Sequence, residues 1–268
     1  MAIITISRGS YSGGKKLAES VAESLNYKIV SREVLLKGAK KYNVSEDSLI
    51  EALKTPPKFW DRFKHERRLY IALIRAALYD EIEDNNIVYH GHAGQFLLTG
   101  LFQLIKVRVI APFEYRMKML MESNKMNENK ALRYIQKMDE ERIRWTKFLY
   151  GVDWKDATLY DLVINLENIE IDCASNIIQN LAVSKNNKLT ESNRQAFFDQ
   201  KLISHIHAAL ALNTATAAAE IEITANDGEV HLFGTVQNEL MVEKVLSEVG
   251  KVSDVKNVIR NEFVGLER

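Results

Sequence analysis

One cysteine, Cys173, is all that 268 residues contain. No disulfide can close within the chain, and no cysteine cluster can hold a metal. Cys173 reads instead as a small buried hydrophobe on a helix. Proline is nearly as scarce, at three positions. Pro56 and Pro57 stop a helical stretch, and Pro112 ends a strand-like one. Charge of one sign is missing too, since 36 basic side chains face 36 acidic ones. A chain without net charge has no general pull toward nucleic acid or an acidic membrane surface, and no nucleic-acid partner is expected. No apolar run reaches the roughly 18 residues that a membrane span needs. The opening MAIITISRGS lacks the basic leader and long apolar core of a secretory signal. The expectation is a cytoplasmic protein.

What is present is globular material, 46% hydrophobic and 27% charged. That is enough apolar side chain for one large domain or two smaller ones. Ala2 to Ser7 is a short apolar, β-rich run, followed by a glycine-bearing loop at Arg8 to Gly14. Leu17, Val21 and Leu25 then recur four apart, which marks one helical face. Tyr27 to Val30, Asn86 to His90, Ile105 to Ala111 and Asp161 to Leu166 read as further strands. Helical patterns are expected after Ser31, after Ser45, from Phe59 to about Asp84, from Gly91 onward, over 113–122 and 128–149, and from Glu170 to Val183. Five strands alternating with helices predict an α/β domain with a mainly parallel sheet covered on both faces.

The polar stretch 184–196 reads as a linker, and the grammar changes after it. A helix over Phe197 to Leu212, a hairpin turning at Asn226-Asp227-Gly228, a helix over 238–250 and a strand from Val255 to Val264 give an α-β-β-α-β order. The predicted division is therefore 1–183, a linker at 184–196, and a small α+β module at 197–268.

The first loop spells Gly9-Ser10-Tyr11-Ser12-Gly13-Gly14-Lys15-Lys16, which meets the glycine-x4-glycine-lysine part of the Walker A pattern. Glycines let backbone N–H groups turn inward around a phosphate, and the following helix adds its positive end. Lys15 would place a charge on the β and γ phosphates of a nucleotide such as ATP. The pattern normally closes with a hydroxyl that holds Mg2+. Here Lys16 and Leu17 follow instead, so a magnesium ligand would come from Ser10, Ser12 or elsewhere.

Four segments, ITISRGSYSGGKKLAESVAESLNY, VYHGHAGQFLL, KVRVIAPFEYR and MDEERIRWTKFLYGVDWKDATLYDLVINL, occur in an order and spacing that resemble the cytidylate kinase-like family over roughly residues 1–183. The resemblance implies a P-loop kinase fold of three layers, with ATP and Mg2+ as cofactors and a nucleoside monophosphate as acceptor. It implies that Lys15, Asp139, Arg142 and Arg144 serve phosphoryl transfer, the last three from a mobile lid, and that residues 9–16 bind the nucleotide. Arg116, following the A-P-x-E motif, matches an arginine of the family's core helix. Arg32 and His92 stand in the acceptor region. Relatives often carry Asp-Arg where this chain has Ser31-Arg32, and Gly-Arg-Gly where it has Gly91-His92-Ala93. His90 and His92 could hold a phosphate or a metal. These departures also admit a catalytically inactive nucleotide-binding sensor or scaffold.

The helix DQKLISHIHAALALN, the hairpin IEITANDGEVHLFGTV and the closing VSDVKNVIRNEF resemble the BON domain. That resemblance implies a binding or regulatory module for a small molecule or phospholipid, or a contact that builds a homo-oligomer, with no chemistry of its own.

Overall fold

The computed structural model describes residues 2–31, 42, 64–82, 86–91 and 94–266. The chain divides into two compact units, Met1–Leu35 with Glu81–Leu189 and Leu36–Asp80 with Thr190–Arg268. The expected helices after Ser31 and Ser45 fall outside the described residues.

The first unit is built on five parallel strands, β1 (Ile3–Arg8), β2 (Lys28–Ser31), β3 (Ile87–Gly91), β4 (Leu104–Ile110) and β5 (Leu162–Asn165). Their order across the sheet is β2-β3-β1-β4-β5, with β1 at the centre. Such strands are apolar because side chains on both faces are buried. Helix α1 (Gly14–Leu25) lays Leu17, Ala18 and Val21 on Ile4, Ile6, Val107 and Val109. A long helix over Lys64–Ile82 is α2; α3 (Phe113–Asn124) and α4 (Glu128–Tyr150) follow β4, and α5 (Ile171–Asn186) closes the unit. Ala174, Ile178 and Ala182 of α5 join the core beside α1. Asn127 caps α4 by accepting from the Lys130 N–H at 3.0 Å. Packing between α3 and α4 buries Leu120, Ala131 and Ile135.

Two expectations are corrected here. The segment after β3 is no α-helix. It makes a single 3-10 turn, Gly94–Phe96, and Gly100 takes φ 77, a left-handed conformation that ends helical geometry. Cys173 is exposed on α5 rather than buried.

The second unit holds a three-stranded sheet of β6 (Glu222–Asn226), β7 (Glu229–Val236) and β8 (Asn257–Gly265) in that order, with helices α6 (Glu191–Leu212) and α7 (Glu239–Val249). β6 and β7 are antiparallel, and β8 joins β7 in parallel. Asp227 and Gly228 both have positive φ, as a tight primed turn requires. Leu202, Ile206, Val230, Leu232, Val242, Val245 and Phe263 form the core. Residues 184–186, read as part of a linker, complete α5, and 191–196 open α6. Thr190 and Asn193 form a capping box at that start, each side chain bonded to the other's backbone. The 64–80 part of α2 belongs to this unit. There Tyr79 packs on Phe197 at 5.5 Å, Asp80 meets His205 at 2.9 Å, and Arg68 pairs with Glu220 at 3.1 Å. No helix among the described residues is long and apolar enough to cross a membrane.

Candidate functional site

Central β1 delivers the chain to the loop at the carboxyl edge of the sheet, where open α/β sheets bind their ligands. Gly9, Ser10, Ser12 and Gly14 are buried there. Ser12 folds the loop on itself, its hydroxyl donating to the Gly9 carbonyl at 3.0 Å. Gly13 has φ 83, in the left-handed region, and precedes α1 without any side-chain cap. Gly14 is required by closeness: a Cβ there would lie 2.7 Å from Cβ and 2.9 Å from Cδ of Arg8. No acid stands in the first turn of α1, so the positive end of the helix is left for an anion. Lys15 and Lys16 are exposed. The Lys15 ammonium lies 3.6 Å from Glu19. Leu17 is wholly buried in the core.

Two arginines from the α3–α4 pair reach this loop. Arg116, 9% exposed, donates from Nε to the Ser10 carbonyl at 2.8 Å. Its other two nitrogens donate to both oxygens of Asp139 at 2.8 Å each, the fork geometry that suits a carboxylate. Arg142 donates to the Arg8 carbonyl at 3.0 Å. Burial pushes the Arg142 pKa down to about 10; Arg8 and Arg116 act in the same direction, and Asp139 opposes them. A guanidinium this poorly solvated favours any anion brought beside it.

The structure thus brings together Gly9, Ser10, Ser12, Gly13, Gly14, Arg116, Asp139 and Arg142 of the residues singled out in the sequence. Lys15 and Lys16 stand at the start of α1. Arg144 is exposed on α4, and no described contact carries it to the loop. Arg32 and His92 lie outside the described residues. His90 ends β3. No group of three or more His, Cys, Asp or Glu side chains that could hold a metal occurs among the described residues.

Arg108, Trp154 and Tyr160 lie in segments that carry the family resemblance, but none of them was named as a site residue. Arg108 sits on β4, 8% exposed, and donates to the Trp154 carbonyl. Its guanidinium lies 4.6 Å from the Trp154 ring and 5.5 Å from the Tyr160 ring, within cation–π range. The Tyr160 hydroxyl donates to the same carbonyl at 2.7 Å and accepts from Gln95 at 3.0 Å. A charged residue at an inward position of IKVRVIA was the available signal, because a buried strand does not carry an arginine without partners. A cavity of about 170 Å³ opens beside Gly9, bounded by Arg108, Arg116, Asp139, Trp154 and Lys155.

A cytidylate kinase from Sulfurisphaera tokodaii is 26% identical over 187 residues, covering 69% of this chain and 98% of that protein. One from Staphylothermus marinus is 31% identical over 103 residues, 38% of this chain and 56% of the relative. The crystal structure of an uncharacterized protein from Eubacterium ventriosum has the same fold over 69% of this chain and 99% of its own, with TM-score 0.54 and 22% identity. The BON domain matches residues 198–265. With the glycine loop on a central parallel strand, paired arginines over it, and a match to the family model across residues 3–168, the chain belongs to the cytidylate kinase-like family.

Proposed function

We propose that the first unit transfers the γ-phosphoryl group of ATP to a nucleoside monophosphate of the cytidylate type, or to a related small acceptor. The observation that carries this reading is the convergence of Arg116 and Arg142 on the carbonyls of Ser10 and Arg8. Both cations are thereby held over a loop shaped for phosphate. Phosphoryl transfer asks for little beyond positioning and neutralisation of the charge on the moving group. The loop would seat the donor phosphates, Lys15 would turn from Glu19 to reach them, and Arg142 would face the transferred group. Asp139 keeps the fork of Arg116 in place.

The family implies magnesium, and the loop suits it through a hydroxyl of Ser10 or Ser12. Magnesium takes most of its shell from phosphate and water, so one protein oxygen is a sufficient donor set. Bound there, it would supply neutralisation of the donor phosphates. The second unit, with its BON domain, is read as a ligand-binding, regulatory module for a small molecule or phospholipid.

The test is transfer from γ-labelled ATP with magnesium to CMP, dCMP and UMP. Lys15→Ala is expected to weaken ATP binding and abolish product. Unchanged ATP affinity in that variant would sink the assignment. A second reading, nucleotide binding without turnover, draws support from Leu17, which puts a core side chain where a hydroxyl-bearing residue could stand. Its mark is ATP bound tightly with no product from any acceptor.

A further inference from the structure

The cavity beside Gly9 carries more positive charge than the loop reading uses. Asp139 spends both oxygens on Arg116, which leaves Arg108 and Lys155 as the unmatched charges on the wall. Arg108 gives one bond, to the Trp154 carbonyl. Its remaining donors and the Lys155 ammonium have no partner among the described residues. Arg108 lies within cation–π distance of two aromatic rings and is bonded to the Trp154 carbonyl, so it is positioned before any ligand arrives. At about 170 Å³ the space falls below the roughly 300–1,000 Å³ that buries a whole drug-sized ligand. It fits a compact, doubly charged group.

We propose that this cavity is a phosphate subsite in which Arg108 and Lys155 hold the phosphate monoester of the acceptor. Two positive charges match the dianion, and a planar guanidinium presents paired N–H donors to two of its oxygens. The inference rests on the kinase reading. In-line transfer needs a second anion beside the one on the loop, with the accepting oxygen turned toward the γ-phosphate. Gly9, which ends the cavity on the loop side, provides that adjacency. The segment carrying Lys155 is fixed by the Arg108–Trp154–Tyr160 contacts, so the subsite is shaped from β4 and from the chain just before β5.

Steady-state transfer to CMP tests it, with Lys155→Ala as the main variant because Lys155 is exposed and its loss does not disturb the core. The expected result is a rise of about tenfold or more in KM for CMP, the scale of one charged hydrogen bond. KM for ATP stays within about twofold, and Lys155→Arg recovers most of the loss. A raised KM for ATP with that for CMP unchanged would assign the cavity to the donor and overturn the proposal. No change in either would overturn it as well. If the wild-type chain transfers nothing, the kinase reading falls separately, and calorimetry with inorganic phosphate decides the subsite. Binding weakened by Lys155→Ala keeps a phosphate site without an acceptor role, and no binding ends it.

Discussion

Asp139 is the residue on which the arginine cluster depends. It matches one of three guanidiniums crowded near the loop, and both it and Arg116 are mostly buried, at 24% and 11% side-chain exposure. Asp139→Asn keeps the shape and removes the charge. The expected cost is about 2 kcal/mol in urea denaturation, the scale of a hydrogen bond to a charged group, since Arg116 loses its carboxylate partner. ATP binding is expected to weaken in the same variant, because Arg116 also holds the Ser10 carbonyl. The sequence named Asp139, Arg116 and Arg142 through the family pattern, and those three converge on the loop. It also named Arg144, two residues beyond Arg142 and so turned nearly to the opposite side of the helix; a motif gives spacing along a helix, whereas the face depends on how that helix is rotated against its neighbours. Arg108 went unnoticed for the opposite reason. Its partners Trp154 and Tyr160 lie some 50 residues on in the chain, and only the fold brings them together.

Elements were easier to read than their ends. The strands and most helices of both units arise from period-two and period-3.6 apolar patterns, which survive packing because packing is what those patterns serve. The segment from Gly91 misled because GQFLL is apolar enough for a helix, while Gly94 sits where a Cβ would meet the Tyr89 ring at 2.1 Å. Within the polar run 184–196, Thr190 and Asn193 act as the cap that starts α6. Thr190→Ala is expected to cost about 1 kcal/mol, measured by chemical denaturation. At α1, Gly14→Ala pushes the helix from β1 through the Arg8 side chain. A loss of about 1–3 kcal/mol in the same assay is expected, together with weaker ATP binding. On α6, burial and the neighbouring Arg75 push the His207 pKa down from 6.5 to about 4. Between those values the unfolded chain takes up a proton that the folded chain refuses. Stability therefore falls as pH drops through 6.5, and this contribution is lost in full near 4. The slope is at most about 1.4 kcal/mol per pH unit. Urea melts at stepped pH should show it, and His207→Gln should remove that share.

At the scale of the molecule, the division into units cuts across the order of the sequence. The second unit takes Leu36–Asp80 from the middle of the family-matched region and joins it to Thr190–Arg268. No composition break marks Asp80, so a reading along the chain placed the boundary only at the later polar run. Residues 190–268 alone lack Tyr79 and Asp80, and Phe197, 1% exposed in the full chain, loses its aromatic neighbour on α2. That fragment is expected to bind the dye ANS more strongly than the full chain does, and equal fluorescence would count against α2 as part of the unit. The same division orders events during synthesis. Asp80 leaves the ribosome 125 residues ahead of its partner His205. At about 5–20 residues per second that is a wait of roughly 6 to 25 s. For that interval the nascent chain exposes Tyr79 and its neighbours on α2 without Phe197 and α6, a window in which chaperones, or other chains on the same message, compete for that surface.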